Sequence, residues 1–237
     1  MAGNWKTIAI SGAIALAAGF GGAALYDSAG FGTETTRAYL IENPEILQQM
    51  AEALQRQEAQ QRLAQVGDDA LAPFPGAVLG NPNGSKTLVE FSDYNCGFCR
   101  VSREHVDALV AADPELRVVI REWPIFEGSE EPARMALAAA KQGKFAAFHK
   151  ALFEQDSRDA SAITRAASLA GLDMERAMAD AVGDDISVEL AKNQSVAQTL
   201  GFGGTPSWIA GGTPLEGAVG EKRLAELIAA GADKTGA

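Results

Sequence analysis

Residues 77–237 alternate between two patterns of apolar positions, one typical of strands and the other typical of helices. Short runs of β-branched and apolar residues predict strands, whereas apolar residues three and four positions apart predict helices. The predicted strands lie near residues 77–79, 87–92, 116–122, 207–209 and 213–216, and the helices lie at 100–112, through most of 128–200, and at 221–230. We therefore predict an α/β domain over residues 77–237, with a helical domain inserted at about residues 128–200.

Residues 1–30 have a different pattern from the rest of the chain. Lys6 is the only charged residue before an uncharged run from Thr7 to Tyr26, which is long enough to span a bilayer but contains four glycines. This hydrophobic segment predicts either an uncleaved signal-anchor or a secretory signal peptide, with a buried soluble helix as a further alternative. Either of the first two would export the remaining chain to a compartment where disulfides persist.

Residues 31–66 are predicted to form a helical extension. Asn43 can cap a helix that has Pro44 at its first position, and the apolar residues that follow on one face are Ile46, Leu47, Met50 and Leu54. This apolar stripe is too narrow to fold alone, so the helix either packs on its own domain or associates with copies of itself. Glycines, aspartates and prolines then mark residues 67–76 as a linker.

The composition restricts the partners of the chain. It has 237 residues, of which 47% are hydrophobic, enough for one good core and an appended segment. Its formal net charge is −11 and its pI is near 4.7. Phosphate backbones and anionic membrane surfaces would repel such a chain, so we expect no nucleic-acid partner.

Cys96 and Cys99 are the only two cysteines in the chain. They lie between a predicted buried strand and the predicted helix 100–112, so the N–H groups and dipole at the helix N-terminus favour a thiolate at Cys96. A zinc site would need a second pair of ligands, and the only histidines, His105 and His149, lie far apart. A permanent disulfide across so short a loop would gain little closure entropy. The pattern therefore predicts a thioredoxin-like redox centre that needs neither a metal nor a cofactor.

Glu90 and Pro206 are two further candidates for the same site. Glu90 lies in the middle of strand 87–92, where burial would raise its pKa and let it move protons to and from Cys99. The alternative is a glutamate at a strand edge that points to solvent. Pro206 begins strand 207–209, and a cis proline packed against Cys96 would leave the preceding backbone free to pair with an extended substrate. From the sequence alone, Pro206 is only a proline between a loop and a strand.

Together these motifs resemble the DsbA family of thiol-disulfide oxidoreductases. The resemblance covers residues 75–237 and is carried by Glu90, Cys96-Gly97-Phe98-Cys99, Gly204-Thr205-Pro206 and the stretches 121–125 and 135–149. It implies a thioredoxin-like fold with an inserted helical domain. It also implies the site residues: Cys96 as attacking nucleophile, Cys99 as resolving thiol, Glu90 as proton relay, Pro206 as the cis proline, and Thr205 and Phe98 as substrate contacts.

The two residues between the cysteines differ from those of the strongly oxidising family members, which have Pro-His. Phe98 cannot donate a hydrogen bond to the thiolate, so the thiolate should be less stabilised and the protein a milder oxidant. With Thr205 before the proline, this difference favours an isomerase-like or reductase-like role over that of a dedicated oxidase.

Residues 39–45 resemble the N-terminal extension of ScsC-like members, in which the extension drives oligomerisation. The resemblance thus implies a homo-oligomer formed through residues 33–66. It also implies a periplasmic protein, either tethered to the inner membrane by an N-terminal helix or released after signal cleavage. Its substrates would be unfolded or misoxidised exported proteins, and a membrane redox partner would recycle its dithiol. ScsC-like relatives suggest one alternative, a Cu(I)-binding protein that uses the same two thiols.

Overall fold

The computed structural model describes residues 4–28 and 31–235. The chain divides into two compact units, Met1–Gln55 and Arg56–Ala237. In the first unit, α1 spans Asn4–Ser28 and α2 spans Phe31–Glu42. The third helix, α3 (Glu45–Val66), begins in the first unit and ends in the second.

The predicted signal-anchor or signal peptide covers residues 1–30, of which residues 1–3, 29 and 30 and the side chains of residues 4–11, 13, 14, 27 and 28 lie outside the described part of the chain. Among the residues that the structure does describe, no helix is long and apolar enough to cross a membrane. The predicted membrane tether is therefore not shown.

A mixed five-stranded sheet organises the described part of the second unit. Its strands are β1 (Val78–Gly80), β2 (Lys86–Ser92), β3 (Leu116–Glu122), β4 (Ser207–Ala210) and β5 (Thr213–Glu216), in the order β1-β3-β2-β4-β5. Strands β2 and β3 are parallel, and the other pairs are antiparallel. Helix α4 (Gly97–Ala112) provides the crossover connection that the parallel pair needs. This arrangement confirms the predicted α/β fold.

Both faces of β2 are buried, which explains its nearly continuous apolar sequence. Leu88 points to the face that packs with the two cysteines and the inserted helices. Val89 and Phe91 point to the opposite face, where Leu63 and Val66 from the end of α3 also pack. Because side chains alternate along a strand, Glu90 shares the face of Leu88.

The insertion between β3 and β4 contains α5 (Glu130–Lys141), α6 (Phe145–Phe153), α7 (Ala160–Ala170), α8 (Met174–Ala181) and α9 (Asp184–Leu200), and α10 (Glu221–Thr235) closes the domain. Local signals set several of these boundaries. The side chain of Asp159 accepts the Ala162 N–H at the start of α7, at 2.9 Å. Gly171 ends that helix with a φ of +70°, a left-handed conformation that glycine adopts without steric cost.

Residues 67–76, which the sequence predicts to be a linker, begin with a short 3-10 helix, Gly67–Ala70. The Arg121 side chain, only 1% exposed, donates hydrogen bonds to the carbonyl oxygens of Asp69, Ala70 (3.4 Å) and Ala72 (2.8 Å). It also donates to Asn193 Oδ1 at 2.6 Å. Because these oxygens replace water around the guanidinium, the buried charge is compensated. Residues 69–72 are thereby held against β3, the strand that contains Arg121.

Candidate active site

Cys96 lies at the N-cap position of α4. Its φ of −81° and ψ of 118° are extended, and its sulfur accepts the Cys99 N–H at 3.4 Å. A tight turn places it there, because the Cys96 N–H bonds the carbonyl oxygen of Asp93 at 3.1 Å. Both cysteines are reduced, and both are largely buried, with Cys96 5% and Cys99 0% exposed.

The two thiols have opposite acid–base properties. The pKa of Cys96 is lowered from 9.0 to about 6, first by the hydrogen bond with the Cys99 side chain and further by the N–H groups of Cys99 and Phe98. The pKa of Cys99 is raised, first by burial and then by the hydrogen bond with Cys96 and the charge of Glu90. At pH 7 Cys96 is therefore mostly a thiolate, whereas Cys99 is a thiol.

The loop before β4 contacts the nucleophilic sulfur directly. The Cys96 sulfur lies 3.2 Å from the carbonyl oxygen of Thr205, to which it donates a hydrogen bond when it is protonated, and the bond between Thr205 and Pro206 is cis. The Thr205 hydroxyl is buried and has no hydrogen-bond partner. The Ser207 hydroxyl bonds the Gly204 carbonyl oxygen at 2.6 Å and so holds the loop in place. The structure therefore brings Cys96, Cys99 and the Thr205 backbone together, and the substrate contact at Thr205 stays a prediction.

Glu90 is 1% exposed and lies on β2 between Ile120 of β3 and Trp208 of β4. This position excludes the alternative of a solvent-facing glutamate. Burial raises its pKa from 4.5 to about 8, and the charge of Cys96 acts in the same direction. The Oε1 atom has no hydrogen-bond partner. Glu90 is thus a buried acid that is mostly protonated at neutral pH and close enough to Cys99 for its charge to raise the pKa of that thiol.

Phe98, the residue before Cys99 on α4, is 67% exposed. Its neighbour on the same exposed side of the helix start, Val101, is 49% exposed. Both are apolar side chains next to the nucleophile and available to another molecule. Their exposure is consistent with the predicted substrate contact at Phe98, which stays a prediction.

Sequence reasoning missed a second buried carboxyl, Glu122, on the same face of the sheet as Glu90. Its Oε1 accepts the Tyr94 hydroxyl at 3.1 Å, and that hydroxyl also lies 2.9 Å from His149 Nδ1. Burial raises the pKa of Glu122 well above 4.5 and lowers that of His149 to about 3. Glu122 could have been found by the signal that identified Glu90, a carboxylate within an apolar strand. His149 could not, because its contact with Tyr94 depends on how α6 packs.

A family model described as thioredoxin matches residues 75–230, and a second, described as the N-terminal domain of the copper resistance protein ScsC, matches residues 36–61. Among solved structures, a thioredoxin-like oxidoreductase from Silicibacter pomeroyi DSS-3 is 40% identical, with a TM-score of 0.64, and the match covers 71% of this chain and 97% of that one. Proteus mirabilis ScsC in a transitional conformation is 27% identical, with a TM-score of 0.66, over 84% of this chain and 92% of that one.

A periplasmic thioredoxin-like protein from Salmonella enterica serovar Typhimurium is 25% identical, with a TM-score of 0.60, over 71% of this chain and 94% of that one. Curated relatives include the Na(+)/H(+) antiporter NhaA of Herminiimonas arsenicoxydans, 27% identical over 155 residues, which are 65% of this chain and 25% of the antiporter. The chain spans about a quarter of the length of the curated relatives that it matches.

These similarities confirm the predicted thioredoxin-like fold and the resemblance to the DsbA family. The family match over residues 75–230 includes both cysteines, Glu90 and Pro206. The chain therefore belongs to the thioredoxin family, and it is similar to a thioredoxin-like oxidoreductase and to ScsC.

Proposed function

We propose that this protein exchanges disulfides with unfolded or misoxidised exported proteins and that Cys96 is its nucleophile. The observation that carries the proposal is the difference between the two thiols. Cys96 has a pKa lowered to about 6 and lies beside the Thr205 backbone, whereas burial raises the pKa of Cys99. Only the first is a thiolate at neutral pH, which is the form that attacks disulfides.

The exchange has two steps. The Cys96 thiolate attacks one sulfur of a substrate disulfide, the substrate S–S bond breaks, and the first substrate thiolate leaves while a mixed disulfide forms. Cys99 then loses its proton and attacks Cys96 Sγ, the mixed disulfide breaks, and the second substrate thiolate leaves. The substrate gains two electrons and the enzyme ends with a Cys96–Cys99 disulfide. The same steps in reverse oxidise a substrate dithiol.

Glu90 is the group that we propose to accept the proton of Cys99. A carboxyl with a pKa of about 8 is ionised in a minor fraction of molecules at pH 7, and that fraction can act as a base beside a buried thiol. In the reverse direction the protonated form returns the proton to Cys99. The raised pKa of Glu90 suits both tasks better than an ordinary carboxylate would.

For the direction of the chemistry, we propose an isomerase-like or reductase-like role. Phe98 offers no hydrogen bond to Cys96 from its side chain and is 67% exposed. The reduced form therefore lacks one stabilising contact that a histidine at position 98 would add. This lack makes the protein a milder oxidant than a family member with that histidine.

An isomerase benefits from several active sites in one oligomer. We propose that residues 33–66 are the segment through which copies of this chain form such a homo-oligomer. In the first unit the apolar side chains of α2 and α3 are exposed, namely Leu40 (41%), Ile41 (68%), Leu47 (74%), Met50 (60%) and Leu54 (56%). The first four of these side chains, Leu40, Ile41, Leu47 and Met50, line a groove of about 860 Å³. Exposed apolar surface of this kind is typical of protein interfaces, and residues 36–61 of this segment match the family model described as the N-terminal domain of the copper resistance protein ScsC.

Deleting residues 1–55 tests this part of the proposal, because it leaves Leu63 and Val66 on the core of the second unit. We expect the deleted form to have a smaller mass by light scattering and to isomerise a scrambled multi-disulfide protein poorly while still exchanging disulfides. A full chain that is monomeric, or a deleted form that isomerises equally well, would contradict it.

We propose a periplasmic location, with the chain either tethered by its N-terminal segment or released after signal cleavage. The similarity to a periplasmic thioredoxin-like protein supports the compartment. A membrane redox partner would recycle the Cys96–Cys99 pair there. The net charge of −11 continues to disfavour nucleic acid.

Cu(I) binding is a second candidate function, favoured by the ScsC match and by the hydrogen bond between the two soft sulfur side chains, Cys96 and Cys99. The described residues contain no cluster of three or more His, Cys, Asp or Glu side chains that could hold a metal, so only Cys96 and Cys99 would bind it. Binding would have to displace a proton from Cys99, whose pKa burial raises. Exchange needs the same deprotonation, but it also uses the Thr205 backbone beside Cys96, which Cu(I) binding leaves without a role, so exchange is the better-supported function.

One experiment separates the two functions. Reduced protein is titrated with Cu(I) under a competing chelator, and turnover of a disulfide-bonded protein is measured on a metal-free portion of the same sample. We expect turnover that Cys96→Ser abolishes, and mixed disulfides that accumulate in Cys99→Ser. Tight Cu(I) binding without turnover would replace the exchange proposal by the copper one.

A further inference from the structure

Three arginine side chains converge on Gln155, which lies in the loop between α6 and α7. Arg100 Nη2 and Arg158 Nη1 donate to the same carbonyl oxygen of Gln155, at 2.9 Å and 2.7 Å. Arg165 Nε donates to the side-chain oxygen of Gln155, Oε1, at 3.1 Å. Two cations therefore share one neutral acceptor, and a third lies beside them. Like charges held this close repel one another, and an anion that binds among them relieves the repulsion.

No carboxylate in the described part of the chain forms an ion pair with any of these three arginines. The pKa of Arg158 is lowered from 12.5 to about 10, first by burial and then by the charge of Arg100, and the opposite effect of Asp156 is smaller. The cluster is unusual in a chain with a net charge of −11. Other arginines of this chain do pair with aspartate or glutamate, namely Arg103, Arg134, Arg176 and Arg223.

The members of the cluster differ in how many donors they have left for a ligand. Half-buried Arg158 gives its N–H groups to four carbonyl oxygens, those of Tyr94, Phe153, Gln155 and Ser157. Exposed Arg100 has one hydrogen-bond partner among the described residues, the Gln155 carbonyl oxygen. A guanidinium has five N–H donors and binds a carboxylate through two parallel hydrogen bonds. Arg100 can therefore bind a carboxylate, while Arg158 adds a fixed positive charge beside it.

The cluster is attached to the backbone on both sides of the nucleophile. The Arg100 N–H donates to the carbonyl oxygen of Cys96 at 3.2 Å, one turn into α4. Arg158 Nε donates to the carbonyl oxygen of Tyr94, two residues before Cys96, at 3.0 Å. Residues four apart on a helix share a face, and their side chains lean toward its N-terminus. An anion on Arg100 would thus lie about one helical turn from Cys96.

We propose that Arg100, with the charges of Arg158 and Arg165 beside it, binds a carboxylate of a small anionic thiol or of its disulfide. The proposal rests on the proposed exchange function and adds to it a class of small-molecule substrate. A small molecule fits this cluster better than an acidic polypeptide does. The polypeptide would extend over a surface whose net charge of −11 repels it, whereas a small molecule stays within about one Debye length of the arginines.

The small thiol would reduce the oxidised active site by balanced exchange steps. Its thiolate attacks Cys96 Sγ, the Cys96–Cys99 bond breaks, and Cys99 leaves and takes up a proton. A second small thiolate attacks the small-molecule sulfur of the mixed disulfide, and Cys96 leaves as a thiolate. The protein gains two electrons and the two small thiols leave as their disulfide. The reverse steps oxidise the reduced protein with the small disulfide.

The test measures the reverse reaction with two small disulfides that differ in charge. Oxidised glutathione has carboxylates, and bis(2-hydroxyethyl) disulfide has no charge. The rate constant for reaction of the reduced protein with each is measured by acid quenching and mass spectrometry, and the glutathione value is divided by the other. We expect Arg100→Gln to lower this ratio about fivefold and Arg165→Gln to lower it by a smaller factor. Arg100→Lys, which keeps the charge but not the planar fork, should lower it about twofold.

Arg176→Gln is the matched control, because it removes an exposed arginine of α8 that is already paired with Asp180. It makes the same change in net charge and should leave the ratio unchanged. About 1 M salt should bring the wild-type ratio close to that of Arg100→Gln, since exposed charges are then screened.

A ratio that Arg100→Gln changes no more than Arg176→Gln does would overturn the proposal. So would a wild-type ratio that does not depend on salt. In either case the exchange function stands, provided that both disulfides still react and that Cys96→Ser abolishes both reactions. Failure of the exchange function is a different result, in which the reduced wild type reacts with neither disulfide.

Discussion

Replacing Glu90 by glutamine should change how the stability of the reduced protein depends on pH, by an amount that follows from its pKa. Burial raises that pKa from 4.5 to about 8. The folded protein therefore holds this proton more tightly than the unfolded chain does. The free energy of unfolding from this group is at its maximum below pH 4.5 and falls as the pH rises to about 8. Each pH unit costs about 1.4 kcal/mol, so the whole interval amounts to about 5 kcal/mol.

Other groups contribute to the wild-type curve and must be separated from Glu90. The pKa of Cys96 is lowered from 9.0 to about 6, so its contribution has the opposite sign and stability rises with pH across that interval. Glu122 contributes with the same sign as Glu90, because burial raises its pKa also. Cys96 and Glu122 titrate in both proteins, so the difference between Glu90→Gln and the wild type reports the titration of Glu90 together with its charge interactions with these two groups.

The assay is urea unfolding of the reduced protein, followed by the fluorescence of its three tryptophans, between about pH 4.5 and 8.5. Relative to the wild type, Glu90→Gln should gain about 4 kcal/mol of unfolding free energy over this range. The exposed Glu104 of α4 provides the control, because Glu104→Gln should follow the wild-type curve. A difference between Glu90→Gln and the wild type that is constant with pH would refute the argument, since it would mean that Glu90 titrates normally.

Three further outcomes are expected. The rate at which Cys96 is alkylated in the reduced protein should have a midpoint near pH 6 and be about tenfold lower at pH 5 than at pH 7, because only the thiolate reacts. Cys99 should react slowly at every pH. Equal alkylation rates at the two thiols, measured by mass spectrometry, would contradict the assignment of Cys96 as the nucleophile. Glu90→Gln should lengthen the lifetime of mixed disulfides at Cys96, and an unchanged lifetime between about pH 6 and 9 would argue against a proton relay. Arg121→Met should lower the free energy of unfolding by about 2–3 kcal/mol, because the buried carbonyl oxygens that Arg121 contacts lose their hydrogen-bond donor. The same change should expose residues 67–72 to proteolysis. The control Arg100→Met, at an exposed position, should lower the free energy of unfolding by less than about 0.5 kcal/mol.

The residues near the cysteines could be predicted from the sequence because their signals are local. The helix after Cys96, the strand before it and the carboxylate within that strand are all readable from neighbouring positions. The predicted burial of Glu90 was correct for this reason, since an interior strand that is apolar on both faces leaves no solvent side for its side chain.

The parts that were missed depend on contacts between distant segments. Tyr94 and His149 are 55 positions apart, and Asp93 and Phe126 are 33 positions apart, so no local pattern indicates that they meet. Residues 67–76 have the composition of a linker, but Arg121 from β3 fixes the carbonyl groups of residues 69–72. From the sequence, Arg121 is only a charge in a strand, and its role became visible when the fold placed those carbonyl oxygens around it.

The capping position of Cys96 has a consequence for the working cycle. The same sulfur that attacks the substrate also accepts the N–H of Cys99 in the first turn of α4. A thiolate is a strong acceptor for that N–H, but a sulfur bonded to another sulfur is a weak one. Each turnover therefore removes and restores the cap of a helix, a contact that is worth about 1 kcal/mol in typical cases. The first turn of α4 should therefore be less stable whenever the Cys96 sulfur is in a disulfide. Hydrogen exchange at the Cys99 amide should then be faster in the disulfide-bonded forms than in the reduced protein.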